Sequence, residues 1–181
     1  KNIKMIFSTG SAFAALTTDG NVVTWGHQNC GGDPSSVQHQ LKNIKMIFST
    51  GSAFAALTTN GNVVIWGHKS YGGCSTDVQH QLKNIKMIFS TGSAFAALTT
   101  DGNVVTWGSI DHGGESTAVQ HQLKNIKMIF STGSAFEAFT TDGNVVIWGS
   151  QDDDYNPIDA SNHLQNIKMI FANDYAFAAL K

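Results

Sequence analysis

Apolar and polar positions alternate along three short stretches at the start of the chain, and the same three stretches then return. In Asn2-Ile3-Lys4-Met5-Ile6-Phe7 the two-residue period of a strand puts Ile3, Met5 and Phe7 on one face. A second strand, Ala12-Phe13-Ala14-Ala15-Leu16-Thr17, follows the turn Ser8-Thr9-Gly10-Ser11, whose glycine is expected to take a positive φ. Its small alanines predict close packing between layers. The third strand, Asn21-Val22-Val23-Thr24-Trp25, follows Asp19-Gly20, a pair suited to a two-residue type I′ hairpin. Beyond Trp25-Gly26 lies a polar loop. Ser36-Val37-Gln38-His39-Gln40-Leu41 then reads as one helical turn capped by Ser35 or Ser36, in preference to a fourth outer strand. Val37 and Leu41 are four apart, with polar residues between them.

The pattern repeats every 41 residues without insertion: Trp25, Trp66, Trp107 and Trp148 are evenly spaced, as are Phe7, Phe48, Phe89, Phe130 and Phe171. The chain is one repeat array over 1–181, with units 1–41, 42–82, 83–123 and 124–164 and a partial unit 165–181. A three-stranded meander cannot hide its apolar face alone, so neighbouring units are expected to stack and bury these tryptophans and phenylalanines between them. That packing role outweighs a ligand-stacking role for the tryptophans. The predicted fold class is all-β: three- to four-stranded meanders in tandem with a short connecting helix, stacked as an open array or a propeller-like ring.

Strands hold their sequence while one loop per unit drifts. Units one and two differ only at residues 19, 24, 28–30 and 33–36 and their equivalents, and unit three differs from unit one only between His27 and Ser36. The loop residues His27, Gln28, Asn29, His68, Lys69, Tyr71, Asp111, His112, Asp152, Asp153 and Tyr155 are therefore either a variable binding face or an unconstrained surface. Unit four departs most. Glu137 and Phe139 stand where the other units have Ala and Leu, and Asp152, Asp153, Asp154 and Tyr155 replace the Gly-Gly loop.

The stretch Ser11 to Gly26, an apolar strand, an Asp-Gly turn and a strand ending in Trp-Gly, resembles the repeat of the regulator of chromosome condensation family. The resemblance extends over almost the whole chain and implies β-propeller-type blades acting as a non-catalytic interaction platform. The family's Gly-His before the second strand is here Gly10-Ser11, and its Gly-Gln-Leu-Gly is shortened to Gly31-Gly32, so no residue inherits a role in nucleotide exchange or nucleosome binding. Four units suit a small ring, but residues 1–18 and 165–181 would then compete for one place. An open array has complementary ends able to join head to tail.

Chemistry changes this picture little. The chain is 13% charged with net charge −2, and its 11 basic residues are all Lys, so it lacks the guanidinium forks that read phosphate and guanine, and nucleic acid is not an expected partner. Lys4, Lys45, Lys86, Lys127 and Lys168 are expected to line one surface row, which could attract an anionic partner but reads first as a charge guarding a sheet edge against unwanted pairing. No apolar run approaches the roughly 20 residues of a membrane-spanning helix, so membrane insertion is not expected. The pairs His27/Cys30 and His68/Cys74 lack the second half of a zinc site, and His39, His80 and His121 read as a solvated row. The acidic loop around Asp152 and Asp153 lacks the spacing of a calcium loop. Neither a metal nor another cofactor is expected, and no enzyme active site is apparent. Cys30 and Cys74 sit in the loops of adjacent units, where either a disulfide or two free thiols fits. The sequence thus points to a structural protein that self-associates end to end into an extracellular or surface filament or adhesive array. The alternative is a closed propeller that binds another protein through its variable loops.

Overall fold

The computed structural model describes residues 2–150, 169–173 and 177–180. Each unit folds into a three-stranded antiparallel meander in chain order. Strands β1 (Ile3–Ser8), β2 (Ala12–Thr17) and β3 (Val22–Gly26) form the first sheet, and β4 (Ile44–Ser49), β5 (Ala53–Thr58) and β6 (Val63–Gly67) the second. The third holds β7 (Ile85–Ser90), β8 (Ala94–Thr99) and β9 (Val104–Gly108), the fourth β10 (Ile126–Ser131), β11 (Ala135–Thr140) and β12 (Val145–Gly149). The hairpin of β13 (Met169–Ala172) and β14 (Phe177–Leu180) repeats the first two strands again. Between units the chain makes two single turns of 3-10 helix, at Gln28–Cys30 and Gln38–Gln40 in unit one and at the equivalent places in units two and three. The segment before Leu41 is thus a helical turn and not a fourth strand, although neither Ser35 nor Ser36 caps it through its side chain.

The first strand does not alternate as expected. Ile3 pairs with Thr17 but Met5 pairs with Leu16, so Lys4 is an extra residue in a β-bulge, repeated in each of the four sheets. The bulge turns later side chains to the opposite face. Ile44 and Ile47, three apart, share one core, while Met87 and Met128 take the opposite face with Phe89 and Phe130 and are themselves exposed. The face expected to hold Ile3, Met5 and Phe7 together is therefore split, with Phe7 on the other side of the sheet, against the next unit.

Two turn expectations also change. The loop after β2 is a longer one than the two-residue type I′: Gly20 N–H donates to Thr17 C=O at 3.0 Å, and of the Asp19-Gly20 pair only the glycine has positive φ, at 77°. Gly10 has no positive φ. Its N–H donates to Gly51 C=O at 2.9 Å, Gly51 to Gly92 at 2.8 Å and Gly92 to Gly133 at 2.8 Å, a backbone ladder running from unit to unit. A Cβ at Gly92 would lie 3.1 Å from the next carbonyl oxygen, so glycine serves close approach here, not turn geometry.

The core lies between sheets. Ala12, Ala14, Leu16 and Val22 of unit one meet Ile44, Ile47, Phe54 and Trp66 of unit two, and two more clusters repeat this composition at the following interfaces. The alanines let the sheets approach, so each unit supplies a small-residue forward face to the bulky rear face of its successor. Phe48 and Phe89, with Phe7, pack partly buried against these forward-face cores.

Candidate functional site

Among the described residues, two surfaces stand outside the internal interfaces: the rim of loops after Gly26, Gly67 and Gly108, and the rear face of unit one.

The loops are held by backbone groups. Cys30 N–H and Gly32 N–H both donate to His27 C=O at 3.0 Å, and Gly31 follows the 3-10 turn with φ 99°. Gly31 C=O then accepts from Trp66 Nε1 at 3.0 Å. Gly72 accepts from Trp107 at 3.0 Å and Gly113 from Trp148 at 3.1 Å. Each acceptor glycine lies under a phenylalanine stacked on that tryptophan, with Phe54 and Trp66 centroids 5.1 Å apart. A Cβ on Gly31 would fall 2.5 Å from the Phe54 ring. From the other side Thr9 Oγ1 donates to Cys30 C=O, Thr50 to Tyr71 C=O and Thr91 to His112 C=O, at 3.1, 2.8 and 2.9 Å. The threonine bonds the main-chain carbonyl of the residue before the glycine, and that residue is Cys, Tyr or His in successive units. The loop backbone is thus fixed in units one to three while its side chains differ. His27, Gln28, Asn29, His68, Lys69, Tyr71 and Asp111 are exposed and His112 half-buried.

Behind the glycine pair, Asp33, Cys74 and Glu115 occupy one position and each turns onto the residue two ahead. Hydrogen bonds from the Ser35 hydroxyl and N–H hold the Asp33 carboxyl below its ordinary range, and Thr117 does the same for Glu115. The Cys74 thiol is lowered likewise, chiefly by Thr76, whose hydroxyl lies 3.2 Å from its sulfur. Cys74 is exposed, Cys30 is half-buried against the core between units one and two, and both are free thiols. The structure does not join them as a disulfide: Cys30 precedes the glycine pair and faces the interface, whereas Cys74 follows it and faces solvent.

Unit one lacks a predecessor among the described residues, and its rear face is open. Trp25 is 44% exposed, against 3% for Trp66 and 4% for Trp107 and Trp148. Ile6 is 56% exposed, against 1% for Ile47. Ile3, Phe13 and Val23 are exposed beside them, although Phe13 still stacks on Trp25 with centroids 5.5 Å apart. The sequence expectation of inter-unit packing fits Trp66, Trp107 and Trp148, while Trp25 presents the same chemistry to solvent. Phe130 meets Phe139 edge-on at 5.8 Å. β13 carries Phe171, whose side chain lies outside the described residues.

Other predicted positions stay apart. Lys4, Lys45, Lys86 and Lys127 are exposed along successive first strands, and His39, His80 and His121 are exposed on the connecting turns. Among the described residues no three His, Cys, Asp or Glu side chains converge as a metal site would require. No helix among the described residues is long and apolar enough to cross a membrane. Asp152, Asp153 and Tyr155, with Lys168, lie outside the described residues.

Three features escaped sequence reasoning. The glycine ladder through Gly10 was masked by its turn-like neighbours. Asn43, Asn84 and Asn125 adopt φ near 55°, signalled only by an Asn-Ile junction at which each unit starts. Glu137 was visible as a departure but not as a buried charge. It is 4% exposed on the forward side of β11, and its Oε2 has no hydrogen-bond partner among the described residues. Burial pushes its carboxyl up to about 7. The unfolded chain releases this proton near 4.5, so stability present below that pH is lost as pH rises through 7, by up to about 3 kcal/mol. Urea unfolding is expected to show a lower midpoint at pH 8 than at pH 5, and Glu137→Gln to flatten that difference.

The geometry defines a class of fold: three-stranded antiparallel meanders stacked in tandem, each seated on its predecessor among the described residues. Yeast RCC1 (Prp20), solved with Kap60 bound, is similar to this chain with a TM-score of 0.64 and 20% identity, over 98% of this chain and 53% of its own. The ectodomain of the Arabidopsis thaliana receptor kinase ACR4 superposes with a TM-score of 0.60 at 10% identity, over 98% of this chain and 60% of its own. Human WBSCR16 gives 0.54 at 18% identity, over 81% and 47%. At these identities the likeness establishes the fold. The chain spans about half the length of these proteins. No family model matches it, and no curated protein does.

Proposed function

We propose that this chain is a non-catalytic structural scaffold that associates end to end through the rear face of unit one. The observation that carries this reading is the exposure of Trp25, Ile6, Ile3, Phe13 and Val23, whose equivalents in units two and three are all buried by a preceding unit. An apolar face of this kind, built to be covered, marks an interaction surface. The contact is heterologous, forward face on rear face, and extends into a filament where rotation does not close it. Surface or extracellular placement belongs to the same proposal; the ACR4 ectodomain shows the fold in a receptor's outer portion.

A second reading has its own support. The loop rim offers variable side chains on a fixed backbone, which suits recognition of another protein, and yeast RCC1 was solved bound to Kap60 and described for its binding to Gsp1p and histones. Light scattering over a concentration series tests the leading reading. Mass is expected to rise with concentration in the native chain and to stay monomeric in Ile6→Lys. A native chain that is monomeric throughout contradicts it.

A further inference from the structure

We infer that the rear face of unit one is built to receive one partner, the forward face of another unit of this same repeat bearing glycine at the places of Gly10, Gly20 and Gly31. The inference rests on the proposed end-to-end association and specifies what the arriving surface must carry.

Apolar area alone would accept many partners. Polar groups at the three internal interfaces narrow the choice. At each, the rear face offers one acceptor and two donors in fixed places. Gly51 C=O accepts from Gly10 N–H at 2.9 Å, Ile44 N–H donates to Gly20 C=O at 2.8 Å, and Trp66 Nε1 donates to Gly31 C=O at 3.0 Å. The next two interfaces repeat these bonds, through Gly92, Ile85 and Trp107 and then Gly133, Ile126 and Trp148. Unit one presents the same set outward: Gly10 C=O, Ile3 N–H and Trp25 Nε1. A partner that covers the face without matching them buries unpaired polar groups, and this selects against other apolar surfaces.

Any backbone has N–H and C=O groups, but Gly20 and Gly31 also take a positive φ that disfavours a side chain, and Gly10 leaves little room for one. A Cβ at Gly10 would lie 3.3 Å from the neighbouring carbonyl oxygen. One at Gly20, where φ is 77°, would lie 3.2 Å from Asn43 Cα, and one at Gly31 would strike the Phe54 ring. Unit four has Asp154 and Tyr155 where the other units have the glycine pair. In residues 165–181, which repeat the first two strands, Asp174 stands at the place of Gly10. The surface that satisfies unit one is thus a complete glycine-bearing unit.

The test extends the full chain. Appending the sequence of residues 18–41 after Lys181, together with Asp174→Gly, completes the fifth unit with all three glycines. Analytical ultracentrifugation then compares this chain with the native one. The completed chain is expected to assemble at about ten-fold or lower concentration, since its added unit carries all three glycines. Replacing the appended counterpart of Gly31 by alanine is expected to return assembly to the native level, and Ile6→Lys to abolish it. Equal assembly of completed and native chains, or no effect of the alanine, overturns the inference while leaving the self-association reading intact. A monomeric native chain beside an assembling completed one has the reverse outcome: it supports this inference and removes native self-association.

Discussion

Trp107→Ala is expected to destabilise the chain by about 3–5 kcal/mol, whereas Trp25→Ala costs about 1 kcal/mol or less. The two residues have identical neighbours in sequence, so the difference isolates what a preceding unit contributes. Trp107 is buried against unit two, stacked on Phe95 at 5.2 Å, and donates to Gly72 C=O. Removing its indole empties a large volume at an interface and leaves that carbonyl without its donor, so the transfer, cavity and hydrogen-bond losses add. Trp25 keeps its stack on Phe13 but has water on its outer side. Urea unfolding followed by circular dichroism measures both. Similar losses for the two substitutions would show that burial by the neighbouring unit is not what the tryptophans supply.

Gly73→Ala is the second large effect. A Cβ there would lie 2.3 Å from Gly67 C and O, main-chain atoms of the strand end that the loop folds back upon. Main chain cannot turn aside as a flexible side chain can, so the loop must open, and with it the seat of Phe95 and Trp107. The expected cost is about 3 kcal/mol. Gly92→Ala, whose added atom would sit 3.1 Å from Gly133 C=O without positive φ, is expected to cost about 1 kcal/mol. Thermal unfolding of both variants checks the order. A Gly92→Ala variant less stable than Gly73→Ala would reverse the assigned importance of loop and ladder.

Much of the architecture was legible because repetition reports it directly. The period of Trp and Phe gave the unit, the alternation gave its three strands, and the alanines of β2 foretold close sheet contact. What could not be read was anything decided between units. The bulge at Lys4 is set by strand pairing, and it puts Ile3 on the opposite face from Met5 and Phe7. Gly10 looked like a turn glycine because sequence shows its chain neighbours and not Gly51, which it approaches across the interface. The loop glycines were seen as a residue of a shortened motif, yet their purpose is set by an indole 35 residues further on. Equally, a sequence of near-identical units cannot mark Trp25 as different. Only the stacking order does so, and the proposed function follows from that asymmetry.

The most direct measurement of this account is hydrogen exchange of the four indole N–H groups in the monomeric Ile6→Lys chain. Three slow indoles, Trp66, Trp107 and Trp148, each bonded to the preceding unit's glycine, and one fast indole, Trp25, are the predicted result. Four indoles exchanging at one rate would contradict it, because no unit would then be seated on its predecessor.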